Sequence, residues 1–181
     1  EDVKDERIPY WADLWPSAVA LSNYILKTNL IVPGTKVLEI GCGLGLPGIV
    51  AGQLGAKVIL SDYIQEALDF AGHNWSLNNS DPADLLLMDW RSPDPSLKVD
   101  IVLASDIAYE KKSFDDLIMT FKILLKGGGK MLISEPNRAF AQSFFDGLQD
   151  KGFSVISQKD SLEFRGQKYS IYIHELLLRT Y

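Results

Sequence analysis

The stretch "VLASDIAYE", residues 102–110, begins as an apolar run suited to a buried strand and then delivers Ser105, Asp106 and Tyr109. A carboxylate and a phenol three positions apart, just past a strand, can hold and orient a hydrogen-bonding nucleophile. Three other places have the same form. "VLEIGCGLGLPG" sets Glu39 inside an apolar run and follows it with Gly41, Cys42 and Gly43. Glycines there let the backbone turn tightly and approach a ligand, and a helix behind them presents free N–H groups. "LSDY" ends on Asp62 and Tyr63, and "LLMDW" ends on Asp89 and Trp90. Each of these two ends sets a hydrogen-bond acceptor beside an aromatic ring.

Several elements must bring these four ends together. Short apolar runs predict strands at 37–40, 57–61, 84–88, 100–104 and 129–134. Helical periodicity fills the intervals, at about 46–54, 64–78, 112–126 and 138–150. Upstream, "DLWPSAVALSNYILKT" reads as an amphipathic helix with Leu14, Ala18, Leu21 and Ile25 on one stripe. Asp13 is its expected cap, and Pro16 sits in the tolerated first turn. Gly127, Gly128 and Gly129 are expected to break the chain before the next strand. At the end, "FSVISQ" and "YSIYIHELLL" are two β-rich runs joined by "KDSLEFRGQK" with no helix between them. Together these imply an α/β fold whose mostly parallel sheet ends in an antiparallel hairpin. In such sheets ligands bind beyond the carboxyl ends of the strands, where the polar residues above fall.

Composition narrows the function classes. The 181 residues suit one domain over 1–181, with residues 1–30 forming a lead-in and a covering helix. No apolar run reaches the roughly 18 residues of a membrane span, and "EDVKDERIPY" lacks the apolar core of a signal peptide. The single cysteine, Cys42, excludes an intramolecular disulfide and suits a reducing cytoplasm. His73 and His174 are the only histidines and show no metal-ligand spacing, so no metal is expected. A net charge of −6 disfavours nucleic acid and suits a basic protein substrate. Gly43-x-Gly45-x-x-Gly48, with Asp62 further on, also matches a dinucleotide fingerprint. Against that reading stand the acid at Glu39, where such sites carry an apolar residue, and the room for only one domain.

Glu39-Ile40-Gly41-Cys42-Gly43 resembles motif I of the seven-stranded methyltransferases that use S-adenosylmethionine (AdoMet), and the likeness runs from Trp15 to the terminal hairpin. The resemblance implies a Rossmann-like sheet of order 3-2-1-4-5-7-6, strand seven antiparallel, with helices on both faces. It implies that Glu39 belongs to the cofactor site and that Gly41, Cys42 and Gly43 meet the methionine part, Cys42 through its backbone. Asp62 would accept from the ribose hydroxyls with Tyr63 beside it, Asp89 from the adenine amino group, and Trp90 would lie on the adenine. Ser105 matches a position that touches the cofactor.

"PYWADLWPSAVAL" resembles the opening of the family-16 methyltransferases, which act largely on protein lysines. That likeness implies Trp15 as a cofactor contact and Trp11 as lid or packing. Asp106-Ile107-Ala108-Tyr109 is similar to the DxxY motif of the same subgroup, which implies Asp106 and Tyr109 as the catalytic residues. Related nucleobase enzymes carry a Pro-Pro pair where this chain has Ile107 and Ala108. A lysine amine, with a pKa of about 10.4, exposes its lone pair at pH 7 at a cost of roughly 4–5 kcal/mol. A carboxylate stabilises the ammonium form, so Asp106 is assigned capture and orientation. Tyr109 adds a hydrogen bond or a wall, and bulk water takes the proton. The alternatives are a small-molecule or other N- or O-methyltransferase, and a cofactor-binding scaffold without catalysis. Glu135 and Arg138 fall on the same edge with an open role.

Overall fold

Strands with apolar residues on both faces must be covered on both faces, and the chain alternates strands with helices that do so. The computed structural model describes residues 9–107, 114–137 and 141–179. After a short 3-10 turn at Tyr10–Ala12 come α1 (Pro16–Lys27), β1 (Lys36–Ile40), α2 (Leu46–Gln53), β2 (Lys57–Asp62), α3 (Gln65–Asn78) and β3 (Asp84–Leu87). They are followed by β4 (Val99–Ser105), α4 (Phe114–Leu124), β5 (Leu125–Glu135), α5 (Ala141–Gly147), β6 (Phe153–Phe164) and β7 (Gln167–Leu178). All seven strands join one sheet in the order β3-β2-β1-β4-β5-β7-β6. β7 runs antiparallel to both neighbours, and the remaining pairs are parallel. The expected fold class and strand order are therefore observed. No helix among the described residues is long and apolar enough to cross a membrane.

The period-2 geometry of strands divides the core in two. Leu38, Ile40, Val102, Ala104, Met131 and Ile133 face α4 and α5, while Val37, Val58, Leu60, Ile101, Leu103 and Leu132 face α1, α2 and α3. Each fully buried side chain of this size contributes about 1.5–3 kcal/mol. At the carboxyl ends the second face turns polar. Glu39, Asp62, Ser105 and Ser134 continue the same alternation, and Ser105 pairs with Ser134 across β4 and β5. Ser134 Oγ donates to Ser17 O at 2.8 Å, pinning the start of α1 over this edge.

Three local expectations change. Asp13 does not cap α1: Trp15 holds the N-cap position without a side-chain bond, with Pro16 next, and Asp13 Oδ1 accepts from Leu14 N at 2.8 Å. The glycine run at 127–129 lies inside β5, which starts directly after α4; a register shift opposite Val99–Ile101 absorbs the extra residues as a bulge. Most of "KDSLEFRGQK" is strand, since β6 and β7 remain paired out to Phe164 and Gln167. Only Arg165 and Gly166 turn, with φ of 50° and 76°. Two positive φ values make the primed turn that suits strand twist. An Arg-Gly pair is not the usual Asn-Gly signal, so the pattern hid it.

Candidate active site

A cavity of about 680 Å3 lies over the carboxyl ends of β1, β2 and β4, within the size range of small-ligand sites. Its floor is the loop after β1. Gly41, Gly43 and Gly45 all have positive φ, which lets the loop double back beneath the cavity. Gly48 opens α2 against the sheet so closely that a Cβ there would stand 2.3 Å from Leu60 Cδ2 and 2.7 Å from Glu39 Oε2. Glu39, buried to 2% exposure, accepts from Gly48 N at 2.8 Å. Burial pushes its carboxyl up to about 8, helped by the charge of Asp62 and opposed by the Gly48 hydrogen bond. Cys42 N continues the ladder to Ser61 O at 2.9 Å. Burial, with Glu39 and Asp62 nearby, also pushes the Cys42 thiol up, so this sulfur stays protonated and offers no thiolate.

Asp62 ends β2 with both oxygens engaged, Oδ2 accepting from Gly43 N at 3.0 Å and Oδ1 from Ile64 N at 3.1 Å. Carboxylate oxygens carry two lone pairs each, so each can still accept from a ligand. Tyr63, Trp90, Ser105 and Asp106 line the same cavity. Ser105 Oγ is buried with no hydrogen-bond partner among the described residues, a costly state that a polar ligand atom relieves. Asp106 N donates to Ser134 O at 2.8 Å, and the residue turns out of the sheet with φ of 53°.

Tyr10, Trp11 and Trp15 form the cover. Trp15 stacks on Tyr10 with centroids 6.0 Å apart, and its Nε1 donates to Tyr10 O at 2.8 Å. Trp11 meets Phe70 at 5.4 Å, and its carbonyl sits against Gly43. Trp15, Glu39, Gly41, Cys42, Gly43, Asp62, Tyr63, Trp90, Ser105 and Asp106 thus converge as the sequence suggested. Asp89 does not border the cavity. Its carboxylate is taken by Arg91, with Nη2 at 2.6 Å and Nε at 2.9 Å, which also holds it below the usual carboxylate range. Tyr109 and Arg138 lie outside the described residues. Sequence reasoning missed Ile107 as a wall beneath Gly41, although its apolar type beside Asp106 was the available signal.

Charge decides between the two ligand classes. The lining holds the carboxylates of Asp13, Asp62 and Asp106 beside the mostly protonated Glu39, but no lysine or arginine among the described residues. A pyrophosphate needs free N–H groups at the helix N-terminus, yet the Gly48 N–H is already spent on Glu39. The site suits a cationic ligand and not a dinucleotide. No group of three or more metal-ligating side chains is found among the described residues.

The family model described as lysine methyltransferase matches residues 6–151. The chain belongs to this family. Relatives of this lysine methyltransferase family member include the histone-arginine methyltransferase METTL23 of Xenopus laevis, 35% identical over 65% of this chain and 53% of that protein. Another is the electron transfer flavoprotein beta subunit lysine methyltransferase of Xenopus laevis, 33% identical over 72% of this chain and 54% of that protein. The chain thus spans about half the length of these curated relatives. Among solved structures, magnesium protoporphyrin IX methyltransferase from Synechocystis PCC 6803 with bound SAM has the same fold, with a TM-score of 0.66. It is 21% identical, over 90% of this chain and 78% of that one.

In this family member, Glu135 ends β5 buried at 3% exposure, with His174 Nε2 at 3.5 Å and Ser157 Oγ at 2.7 Å from His174 Nδ1. Phe145 stacks on the imidazole at 3.4 Å. This polar string lies under α5 and does not border the described cavity lining, so it holds β5, β6 and β7 together.

Proposed function

We propose that the protein transfers a methyl group from AdoMet to the side-chain nitrogen of a protein lysine. The observation that carries this reading is the cavity lined by three carboxylates and the protonated Glu39, without a lysine or arginine among the described residues, under an aromatic cover. When bound, AdoMet supplies a methyl group on a sulfonium, which passes to the acceptor lone pair while the C–S electron pair stays on sulfur as a thioether.

The chain's own residues divide the work. Asp62 accepts from the ribose hydroxyls, with Tyr63 at its side. Trp90 holds the adenine, without Asp89, whose carboxylate is engaged by Arg91. The backbone of Gly41, Cys42 and Gly43 meets the amino-acid end, Glu39 steadies that loop through Gly48, and Ser105 Oγ takes a polar atom of the ligand. Trp15, opening α1, covers the sulfonium and gains cation–π attraction of about 0.5–2 kcal/mol. Asp106 captures and orients the acceptor, Tyr109 supplies a second hydrogen bond or wall, and solvent removes the amine proton. The domain over 1–181 works without a metal. Its single buried free thiol suits a reducing compartment such as the cytoplasm. The acid-lined cavity favours a basic protein over nucleic acid.

Incubation with tritiated AdoMet and cell extract tests this. Label in protein, recovered as methyl-lysine after hydrolysis, is the expected result. The likeness to a histone-arginine methyltransferase favours a second reading, for which methyl-arginine is the signature. Label confined to metabolites or nucleic acid overturns both, and AdoMet binding with no label in any extract identifies a scaffold.

A further inference from the structure

A second cavity, of about 230 Å3, adjoins the first. Both are bordered by Asp13, Leu14, Trp15 and Asp106, so Asp106 stands at their junction. The outer wall of the smaller one is the tip of the β6–β7 hairpin, through Phe164, Arg165 and Tyr169.

Unequal pairing explains how the hairpin reaches the site. β7 pairs with β5 only as far as Tyr172, opposite Glu135, but continues with β6 to Gln167. Residues 167–171 and 160–164 therefore overhang the end of β5, by about 16 Å at 3.3 Å per residue. Because β6 runs parallel to β1, β4 and β5, the overhang lies on the carboxyl edge, beside the large cavity. A free two-stranded ribbon is marginal on its own, and this one is tied down. Leu162 and Tyr169, directly opposite each other, pack on the core beneath α1. Arg165 Nη1 donates to Asp13 Oδ1 at 3.0 Å.

We propose that this smaller cavity is the acceptor subsite. The aliphatic stem of a substrate lysine lies between the hairpin tip and the start of α1, against Phe164, Tyr169 and Trp15, and its nitrogen meets Asp106. The inference rests on the large cavity being the AdoMet site, and adds where the acceptor arrives and what selects it. Two features support an amine-bearing chain. Asp13 and Asp106 put two carboxylates in an aromatic-walled space, which suits a side chain with an apolar stem and a cationic head. The chain's own cation already shows the match: Arg165 pairs with Asp13 and lies 5.0 Å over the Phe164 ring. That pair is exposed and adds little stability, so an incoming ammonium displaces it readily.

Crystals grown with S-adenosylhomocysteine and soaked in N-acetyl-lysine methyl ester test the placement without turnover. The probe is expected under the hairpin tip, its amine within hydrogen-bond reach of Asp106. S-adenosylhomocysteine in the large cavity with the probe elsewhere, or absent, overturns the subsite alone. Failure of S-adenosylhomocysteine to bind there removes the underlying reading and the subsite with it. In parallel, Phe164→Ala and Tyr169→Ala should each lower tritium transfer to extract protein at least tenfold. Calorimetric affinity for S-adenosylhomocysteine should stay within twofold, which also shows that the variants fold. Unchanged transfer by both variants overturns the proposal.

Discussion

Asp106 occupies a left-handed backbone conformation, φ 53°, that few residues accept without a glycine's freedom. Asparagine and aspartate tolerate it; other side chains pay roughly 1–2 kcal/mol. Asp106→Asn therefore removes the charge while keeping the turn. It should lower turnover by about 10²-fold through lost orientation and leave S-adenosylhomocysteine affinity within twofold, as calorimetry beside the labelling assay would read. Glu39 makes a different prediction. Its folded carboxyl is pushed up to about 8 from an ordinary 4.5, so between those values the folded state holds a proton that the unfolded state has lost. Stability from this group is complete below about pH 4.5 and is lost as the pH rises toward 8. Glu39→Gln, which keeps an acceptor for Gly48 N–H, should gain on the wild type between pH 5 and pH 8. Urea midpoints at the two values check it: an unchanged gap between the proteins contradicts the assignment.

At the scale of elements, α2 approaches the sheet only because Gly48 has no side chain. Gly48→Ala sets a methyl group 2.3 Å from Leu60 Cδ2 and should destabilise the fold by about 1–3 kcal/mol, read by denaturant titration. Arg165→Ala is the contrasting case. Both partners of its ion pair are well exposed, at 61% and 45%, so the loss should stay under about 1 kcal/mol in the same titration. These elements were legible to different degrees. β1, β2 and β4 announce themselves as continuous apolar runs and α3 by its helical period, because the strands are buried on both faces and the helix on one. The amino end of β5 did not, since glycines that normally break a chain there form a bulge. The outer half of the hairpin did not either, because its inward positions are only half-buried and one of them, Asp160, is a carboxylate, so the apolar alternation is broken.

For the whole molecule, binding must show as stability. A ligand at one hundred times its Kd adds about 2.7 kcal/mol to the folded state. For a chain of this size that is a rise of roughly 5–10 °C in Tm. AdoMet should produce it in a thermal-shift assay and NAD should not, because acids line the cavity and Glu39 takes the Gly48 N–H. The sequence by itself determined the alternation of strands and helices, the terminal antiparallel hairpin, the glycine loop and most of the polar residues on the sheet's edge. Those follow from local pattern and from motif spacing, which a linear chain displays in full, whereas the order of the strands followed only from the family resemblance. Only the tertiary structure decided that Asp89 turns to Arg91, that Asp13 meets a guanidinium 152 residues away, and that a hairpin tip closes a second cavity beside Asp106. Side-chain partners across distant elements depend on how far each strand overhangs its neighbour, and that length is set by packing in three dimensions.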